Sequence, residues 1–145
     1  MAGTSGKPLV QKLGVKPGFR IFTVGAPAAY DNIVGKLPAD VTIASRLRAP
    51  LDMIHVFATE AAVLAGKLGV YRDAIKPDGM IWVSWPKKSS GVPTGLTDNV
   101  VREIALALGL VDVKVCAIDE IWSGLKFVIP TDERIKNNKR IKRPK

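Results

Sequence analysis

Few residues of this chain belong to the types that perform chemistry. The sequence contains one histidine, His55, and one cysteine, Cys116. Histidine exchanges protons at neutral pH, but His55 lies inside an apolar run, which favours a histidine packed in the core or at its rim. Cys116 also stands in an apolar run, which indicates a buried structural thiol. A single residue of each type excludes an internal disulfide and a Cys/His zinc site.

The sequence motifs that would organise catalysis are missing as well. There is no Gly-x-Ser-x-Gly nucleophile elbow, no His-Glu-x-x-His motif and no complete dinucleotide fingerprint. Adjacent carboxylates occur only at Asp119-Glu120 and Asp132-Glu133, and neighbours in a turn need not point at a common atom. We therefore predict no catalytic residue and no metal ligand.

Candidate ligand-binding residues follow three predicted strands. Open α/β sheets bind ligands beyond the carboxyl ends of their parallel strands. Those ends are predicted to hold Gly25, Ala26, Pro27, Thr59, Glu60, Trp85 and Lys87. Their indole, carboxylate and ammonium groups could line a pocket for a small molecule or a protein segment. The alternative is an empty rim, since every domain of this kind has one.

Basic residues form a second candidate site. The chain has 22 Lys and Arg against 13 Asp and Glu, a formal net charge of +9. Acidic and basic residues balance between residues 31 and 130, so the excess lies at the two ends. The candidate contacts to phosphate or nucleic acid are Lys88, Lys139, Arg140, Lys142 and Arg143. The alternative is an ordinary polar loop followed by a solvated tail.

The elements that would position these residues alternate between strands and helices. Strands are predicted over residues 19–24, 41–45, 52–58, 80–85, 111–118 and 122–129. Helices are predicted over 27–37, from Thr59 to about Lys76, and from Thr97 or Asp98 to Leu108, with a turn at 77–79. This alternation predicts an α/β domain with a mostly parallel sheet and helices on both faces. The short link between the last two strands predicts that they pair antiparallel.

Length and composition favour a single domain. We expect a flexible N-terminus over residues 1–12, an α/β domain over 13–130 and a basic C-terminal tail over 131–145. No run approaches about 18 consecutive apolar residues, and Met1–Gly6 lacks the apolar core of a signal peptide. The expectation is a cytoplasmic protein without membrane contact, whose oligomeric state the sequence leaves open.

The order of elements resembles a known architecture. Lys12–Ile21, Asp52–Ala58 and Ala74–Ser84 are similar to the passages around the first, fourth and fifth strands of class I S-adenosylmethionine-dependent methyltransferases. The resemblance implies a single Rossmann-like sheet. Trp85–Lys87 and Trp122–Phe127 also resemble a family of short bacterial proteins of unknown function, which implies no mechanism.

The chain departs from the methyltransferase pattern where the family holds its cofactor. The family pattern after the first strand is an acid followed by three spaced glycines; here Thr23 replaces the acid, Pro27 and Ala29 replace later glycines, and only Gly25 remains. Where the resemblance implies an acid for the ribose hydroxyls, the sequence reads Ser45-Arg46-Leu47-Arg48. We therefore predict no cofactor, with S-adenosylmethionine as the alternative.

The segment that connects the second predicted strand to the next one is short. Only Arg46–Leu51 lie between the two strands, whereas a parallel return normally needs about a dozen residues and a helix. The family's third strand is therefore predicted to be missing. Either the second strand is an antiparallel or irregular edge, or these residues run back as an extended strap.

Three functional hypotheses follow. The preferred one is a degenerate, non-catalytic methyltransferase-like domain that binds a small molecule or a protein. The second is an active S-adenosylmethionine-dependent methyltransferase with an atypical loop. The third is a nucleic-acid-associated protein that uses its basic termini.

Overall fold

A computed structural model describes residues 8–130, and these form one six-stranded α/β unit. The elements are α1 (Leu9–Leu13), β1 (Arg20–Val24), α2 (Tyr30–Val34), β2 (Thr42–Ala44), β3 (Leu51–Phe57), α3 (Ala61–Ala74), β4 (Ile75–Pro86), α4 (Asp98–Ala107), β5 (Val111–Ala117) and β6 (Trp122–Val128). One 3₁₀ turn, Lys88–Ser90, lies between β4 and α4.

The sheet is parallel except at one side. Its strand order is β2-β1-β3-β4-β6-β5. β1 pairs parallel with both β2 and β3, and β3 pairs parallel with β4. β6 pairs antiparallel with β4 and with β5. The predicted mostly parallel sheet with a C-terminal antiparallel pair is confirmed.

Two apolar layers cover the sheet, one on each face. Leu64 and Leu68 of α3 and Val101 of α4 pack with one set of strand residues. Val10 and Leu13 of α1 and residues of α2 pack with the other set. β3 is buried along nearly its whole length because both layers cover it, as its apolar sequence predicts. Helices therefore lie on both faces, as expected.

The connection from β2 to β3 is a strap. β2 is parallel to β1, with Arg20 opposite Thr42, so the predicted antiparallel alternative is wrong. Residues 45–50 contain no helix or strand and return the chain to Leu51 at the start of β3. A strand–helix–strand return would have covered one face of β1 and β2 with a helix. Within residues 8–130 no third strand and no such helix is inserted there, as the sequence predicts.

Four local predictions need correction. Residues 1–7 of the segment expected to be flexible lie outside the described residues, but its end from Leu9 belongs to α1, whose Val10 and Leu13 side chains are buried. The first long helix is reduced to Tyr30–Val34, since Gly35 follows it with a positive φ of 85°. The N-cap of α3 is Glu60 and no side chain caps it, so Thr59 is not the cap.

The fourth correction concerns Pro77-Asp78-Gly79, which lies inside β4 and not in a turn between a helix and a strand. The β3–β4 register shifts between Leu51 and Met53, so that the segment forms an irregularity within a longer strand. By contrast, Thr97 caps α4 as predicted: its Oγ1 accepts a hydrogen bond from the Val100 N–H at 3.2 Å.

Candidate functional site

The carboxyl ends of β1 and β3 border a small pocket under the first turns of α3. Its volume is about 150 Å³. The lining residues are Val24, Val56, Phe57, Ala58, Thr59, Glu60, Val63, Leu64, Lys67 and Tyr71. Sites for small molecules typically measure about 300–1,000 Å³. The pocket at the predicted ligand-binding rim is therefore about half the size of the smallest such sites.

Gly25, the one glycine that matches the methyltransferase loop pattern, packs against the neighbouring strand. Its φ is +66°, a conformation that favours glycine. A Cβ built on Gly25 would lie 2.8 Å from the backbone oxygen of Phe57, closer than any real contact. The requirement for glycine therefore comes from the approach of β3, without reference to a ligand.

Ala26 and Pro27 precede α2 and pack or hydrogen-bond near its start. The carbonyl oxygen of Pro27 accepts a hydrogen bond from the Tyr30 N–H at 3.0 Å. Ala26 is half-buried against the layer that includes α1 and α2. The loop after β1 thus has a defined packing role.

Thr59 and Glu60 are the two predicted site residues that line the pocket. The carbonyl oxygen of Thr59 accepts hydrogen bonds from Thr94 Oγ1 at 2.7 Å and from the Gly95 N–H at 3.2 Å. These bonds hold the loop that precedes α4 over the end of β3. Glu60 is exposed and its carboxylate is accessible to solvent.

Trp85 and Lys87 make contacts within the protein at the end of β4. Trp85 is 6% exposed and belongs to the core layer under α3 and α4, so it offers little surface to a ligand. Lys87 Nζ donates to the carbonyl oxygen of Asp119 at 2.7 Å, and the Lys87 N–H donates to that of Ile121 at 2.8 Å. Lys87 therefore joins the end of β4 to the β5–β6 turn.

The predicted phosphate contacts are spread along the chain. Lys88 is exposed in the 3₁₀ turn. Lys139, Arg140, Lys142 and Arg143 lie outside the described residues, so their contact with nucleic acid stays a prediction.

The sequence reasoning missed a buried polar network in the centre of the sheet. Tyr30 Oη lies 3.0 Å from Nδ1 of His55, and Nε2 of His55 lies 2.8 Å from Ser84 Oγ. His55 and Ser84 are fully buried. The available signal was the presence of two polar residues inside otherwise apolar strands. Because both ring nitrogens have partners, the network satisfies the histidine that the sequence places in the core.

Burial fixes the protonation states of this network. Desolvation lowers the pKa of His55 from its ordinary 6.5 to about 3, so the ring is neutral at pH 7. Burial, with a smaller contribution from the nearby Asp31 carboxylate, raises the pKa of the Tyr30 hydroxyl. The His55 ring has no exposed surface, and both of its nitrogens have hydrogen-bond partners within the protein.

An aromatic cluster extends from the network to the strand ends. The rings of His55 and Phe57 stack with their centroids 4.3 Å apart. Trp122 meets Phe57 edge to face at 5.0 Å. These contacts fill the space beneath the loop after β1, on the face that carries α1 and α2.

The end of β2 carries cations where the family pattern has an acid. Ser45, Arg46 and Arg48 are exposed and, with Arg20 and Ala44, line a groove of about 350 Å³. The charges of Arg46 and Arg48 are evident in the sequence, but the position of Arg20 beside them depends on the parallel pairing of β1 with β2. Within residues 8–130 no group of three or more His, Cys, Asp or Glu side chains is arranged to hold a metal ion. In the same part of the chain, no helix has the length and apolar character needed to cross a bilayer.

No protein-family model matches this chain, and no curated protein shows significant sequence similarity to it. Solved structures show what the fold is similar to. An S-adenosylmethionine-dependent methyltransferase from Aquifex aeolicus superposes with a TM-score of 0.60 at 15% identity, covering 89% of this chain and 95% of that one. Magnesium protoporphyrin IX methyltransferase from Synechocystis PCC 6803, solved with bound S-adenosylmethionine, gives 0.61 at 9% identity, covering 84% and 74%. Precorrin-6y C5,15-methyltransferase from Geobacter metallireducens gives 0.54 at 11% identity, covering 84% and 86%.

The loop after β1 and the end of β2 differ from the pattern that the methyltransferase resemblance implies for a cofactor site. The strand-end pocket is small, and the backbone of β3 lies against Gly25. Arg46 follows β2, the strand after which the resemblance implies an acid. At these identities the comparisons establish architecture alone. The chain has a Rossmann-like fold similar to that of class I S-adenosylmethionine-dependent methyltransferases.

Proposed function

We propose that this protein is a non-catalytic, methyltransferase-like binding domain. The observation that carries the proposal is the pocket at the carboxyl ends of β1 and β3, which measures about 150 Å³. A nucleoside joined to an amino acid needs a site in the range of about 300–1,000 Å³. This pocket is therefore smaller than a site for the cofactor of the similar folds.

Packing at the rim makes the pocket difficult to enlarge. The Phe57 backbone oxygen occupies the direction in which a Gly25 side chain would point. Phe57 is itself buried between His55 and Trp122, so it cannot move without disturbing the aromatic cluster. Enlarging the pocket at β1 would require the central strands to separate.

Electrostatics at the end of β2 also disfavour a nucleoside. A carboxylate accepts hydrogen bonds from both ribose hydroxyls in dinucleotide sites. Arg46 and Arg48 supply only donors, and a guanidinium cannot accept these hydrogen bonds. Charged hydrogen bonds contribute about 1.5–3 kcal/mol each, so the exchange removes a large part of the expected affinity.

Calorimetric titration tests the proposal. The full chain is titrated with S-adenosylmethionine and with its demethylated product, in parallel with a Val63→Trp variant. Val63 is 56% exposed and lines the pocket, so a tryptophan there fills the space without disturbing the core. We expect no binding to either protein. Micromolar binding to the wild type that the variant loses would overturn the proposal.

An active methyltransferase is the second candidate. It is supported by the similar structures, among them one described with bound S-adenosylmethionine and one with bound S-adenosylhomocysteine. In that case Thr59 and Glu60 would border the acceptor at the strand ends. The assay measures transfer of a labelled methyl group to protein, RNA and small-molecule fractions of a lysate. Label above background that the Val63→Trp variant does not transfer would establish this candidate in place of the first.

A further inference from the structure

The arginine-lined groove on β1 and β2 is a separate feature from the strand-end pocket. It is lined by Arg20, Ala44, Ser45, Arg46 and Arg48 and has a volume of about 350 Å³. The two share no lining residue. The groove is within the size range of ligand sites, about 300–1,000 Å³. A ligand in the groove would bind at a different place from one in the strand-end pocket.

The short return from β2 to β3 creates the groove. Successive side chains of a strand point to opposite faces, so Arg20 shares its face with Phe22 and Val24. That face of β1 packs against the layer that includes α3. The strap brings Arg46 and Arg48 beside Arg20 on this face, where a longer connection would have placed a helix. The strap therefore places three arginines around one groove.

The cations in the groove lack a carboxylate partner among residues 8–130. The ion pairs formed there are Lys76 with Asp52 and Arg102 with Asp112, both at 3.0 Å. Asp52 lies at the end of the strap, but its Oδ1 contacts Lys76 and its Oδ2 accepts from the Arg20 backbone N–H at 2.8 Å. Its carboxylate is thus already engaged. Three neighbouring positive charges repel one another, and an anion placed between them would remove that repulsion.

The donor set matches a phosphate group. Each guanidinium presents a planar fork of N–H donors that matches two oxygens of one phosphate, and the Ser45 hydroxyl adds a further donor beside them. We propose that this groove binds a phosphate group, carried by a small phosphorylated molecule or by a nucleic-acid backbone. A phosphate has more acceptor oxygens and more charge than a carboxylate, so it engages all three arginines at once.

Side-chain NMR of the full chain tests the proposal. The Nε–Hε resonances of the arginines are followed during titration with inorganic pyrophosphate and, separately, with a short duplex DNA. Arg46→Gln, Arg48→Gln and the double variant are compared with Lys36→Gln. Lys36 is exposed and its replacement removes the same single charge at another place. The folding of each variant is checked by its thermal unfolding midpoint.

We expect saturable shifts of the Arg20, Arg46 and Arg48 resonances and about fivefold weaker binding for each arginine removed, with Lys36→Gln unchanged. Saturation by pyrophosphate identifies a small phosphorylated ligand as sufficient. Saturation by duplex DNA alone, weakened by the arginine variants, identifies the nucleic-acid backbone. Binding that falls equally in Lys36→Gln, or no shift of these resonances with either probe, would overturn the proposal. The cofactor titration tests the proposed function separately, because its Val63→Trp variant alters the strand-end pocket and leaves the lining of the groove unchanged.

Discussion

In the centre of the sheet β3 is covered on both faces, whereas β2 at the edge exposes two of its three residues. The centre buries even its polar groups: His55 and Ser84 have no solvent exposure and satisfy each other. The edge exposes its charged groups, since Arg46 and Arg48 face solvent without an ion pair among residues 8–130. Polar residues in the centre thus stabilise the fold, and those at the edge are available to a ligand.

Two isoleucines on neighbouring parts of the sheet should differ most in their effect on stability. Ile54 is fully buried in β3, and Ile43 is 39% exposed in β2. Ile54→Ala should lower the free energy of unfolding by about 2–5 kcal/mol, because it removes buried apolar surface and leaves a cavity. Ile43→Ala should cost about 1 kcal/mol or less. Denaturant unfolding measures both, and equal losses would contradict the contrast between centre and edge.

The buried histidine predicts a stability that depends on pH. The pKa of His55 is about 3 in the folded protein and 6.5 when unfolded, so below pH 6.5 the unfolded state binds a proton that the folded state excludes. Stability should therefore be complete above pH 6.5 and decline as the pH falls towards 3. The loss should be on the order of 1 kcal/mol per pH unit over this range.

Comparison with His55→Gln isolates this contribution, because glutamine is polar and does not titrate. Unfolding is measured from pH 7 to pH 4 for both proteins. The variant should be less stable at pH 7 and less sensitive to acid than the wild type. An identical slope in both would show that other groups cause the acid dependence.

Alanine substitutions at two glycines with positive φ compare the cost of backbone strain alone with the cost of strain plus a steric clash. Gly25 has a φ of +66° and its Cβ direction is blocked by Phe57, whereas Gly18 has a φ of +81° and nothing within 4 Å. Gly18→Ala should cost about 1–2 kcal/mol from backbone strain alone. Gly25→Ala should cost about 1–3 kcal/mol more, because a backbone oxygen must move. Equal losses of stability for the two variants, in thermal or denaturant unfolding, would show that the β3 backbone near Phe57 shifts at little cost.

The basic tail should contribute least to stability. Removing residues 131–145 eliminates seven basic and two acidic side chains. We expect a change in unfolding free energy within about 0.5 kcal/mol. If the tail binds nucleic acid, the truncated chain should have a lower affinity for duplex DNA, and its slope against log salt should fall by about 0.9 for each phosphate that the tail neutralises. Unchanged retention on heparin and DNA would remove the tail from the candidate contacts.

Local patterns predicted the elements better than they predicted their boundaries and roles. The apolar run 52–58 and the cap at Thr97 correspond to β3 and to the start of α4. Pro77-Asp78-Gly79 has turn chemistry, yet it lies within β4 because pairing with β3 tolerates a register shift. Trp85 stands at a strand end, but the layer beneath α3 and α4 buries it. Both differences arise from neighbours that are distant in sequence.

Residue types and their spacing were enough to predict the alternation of strands and helices, the short return after β2, the single buried histidine and the absence of the family's glycines and acid. These properties are local to the chain. The parallel direction of β2, the contacts of Tyr30 and Ser84 with His55, and the approach of Arg20 to Arg46 and Arg48 became visible only in the folded structure. Each of these depends on strand pairing or on the packing of α2 and the strap against the strands, which brings together side chains that are 20 or more residues apart in sequence.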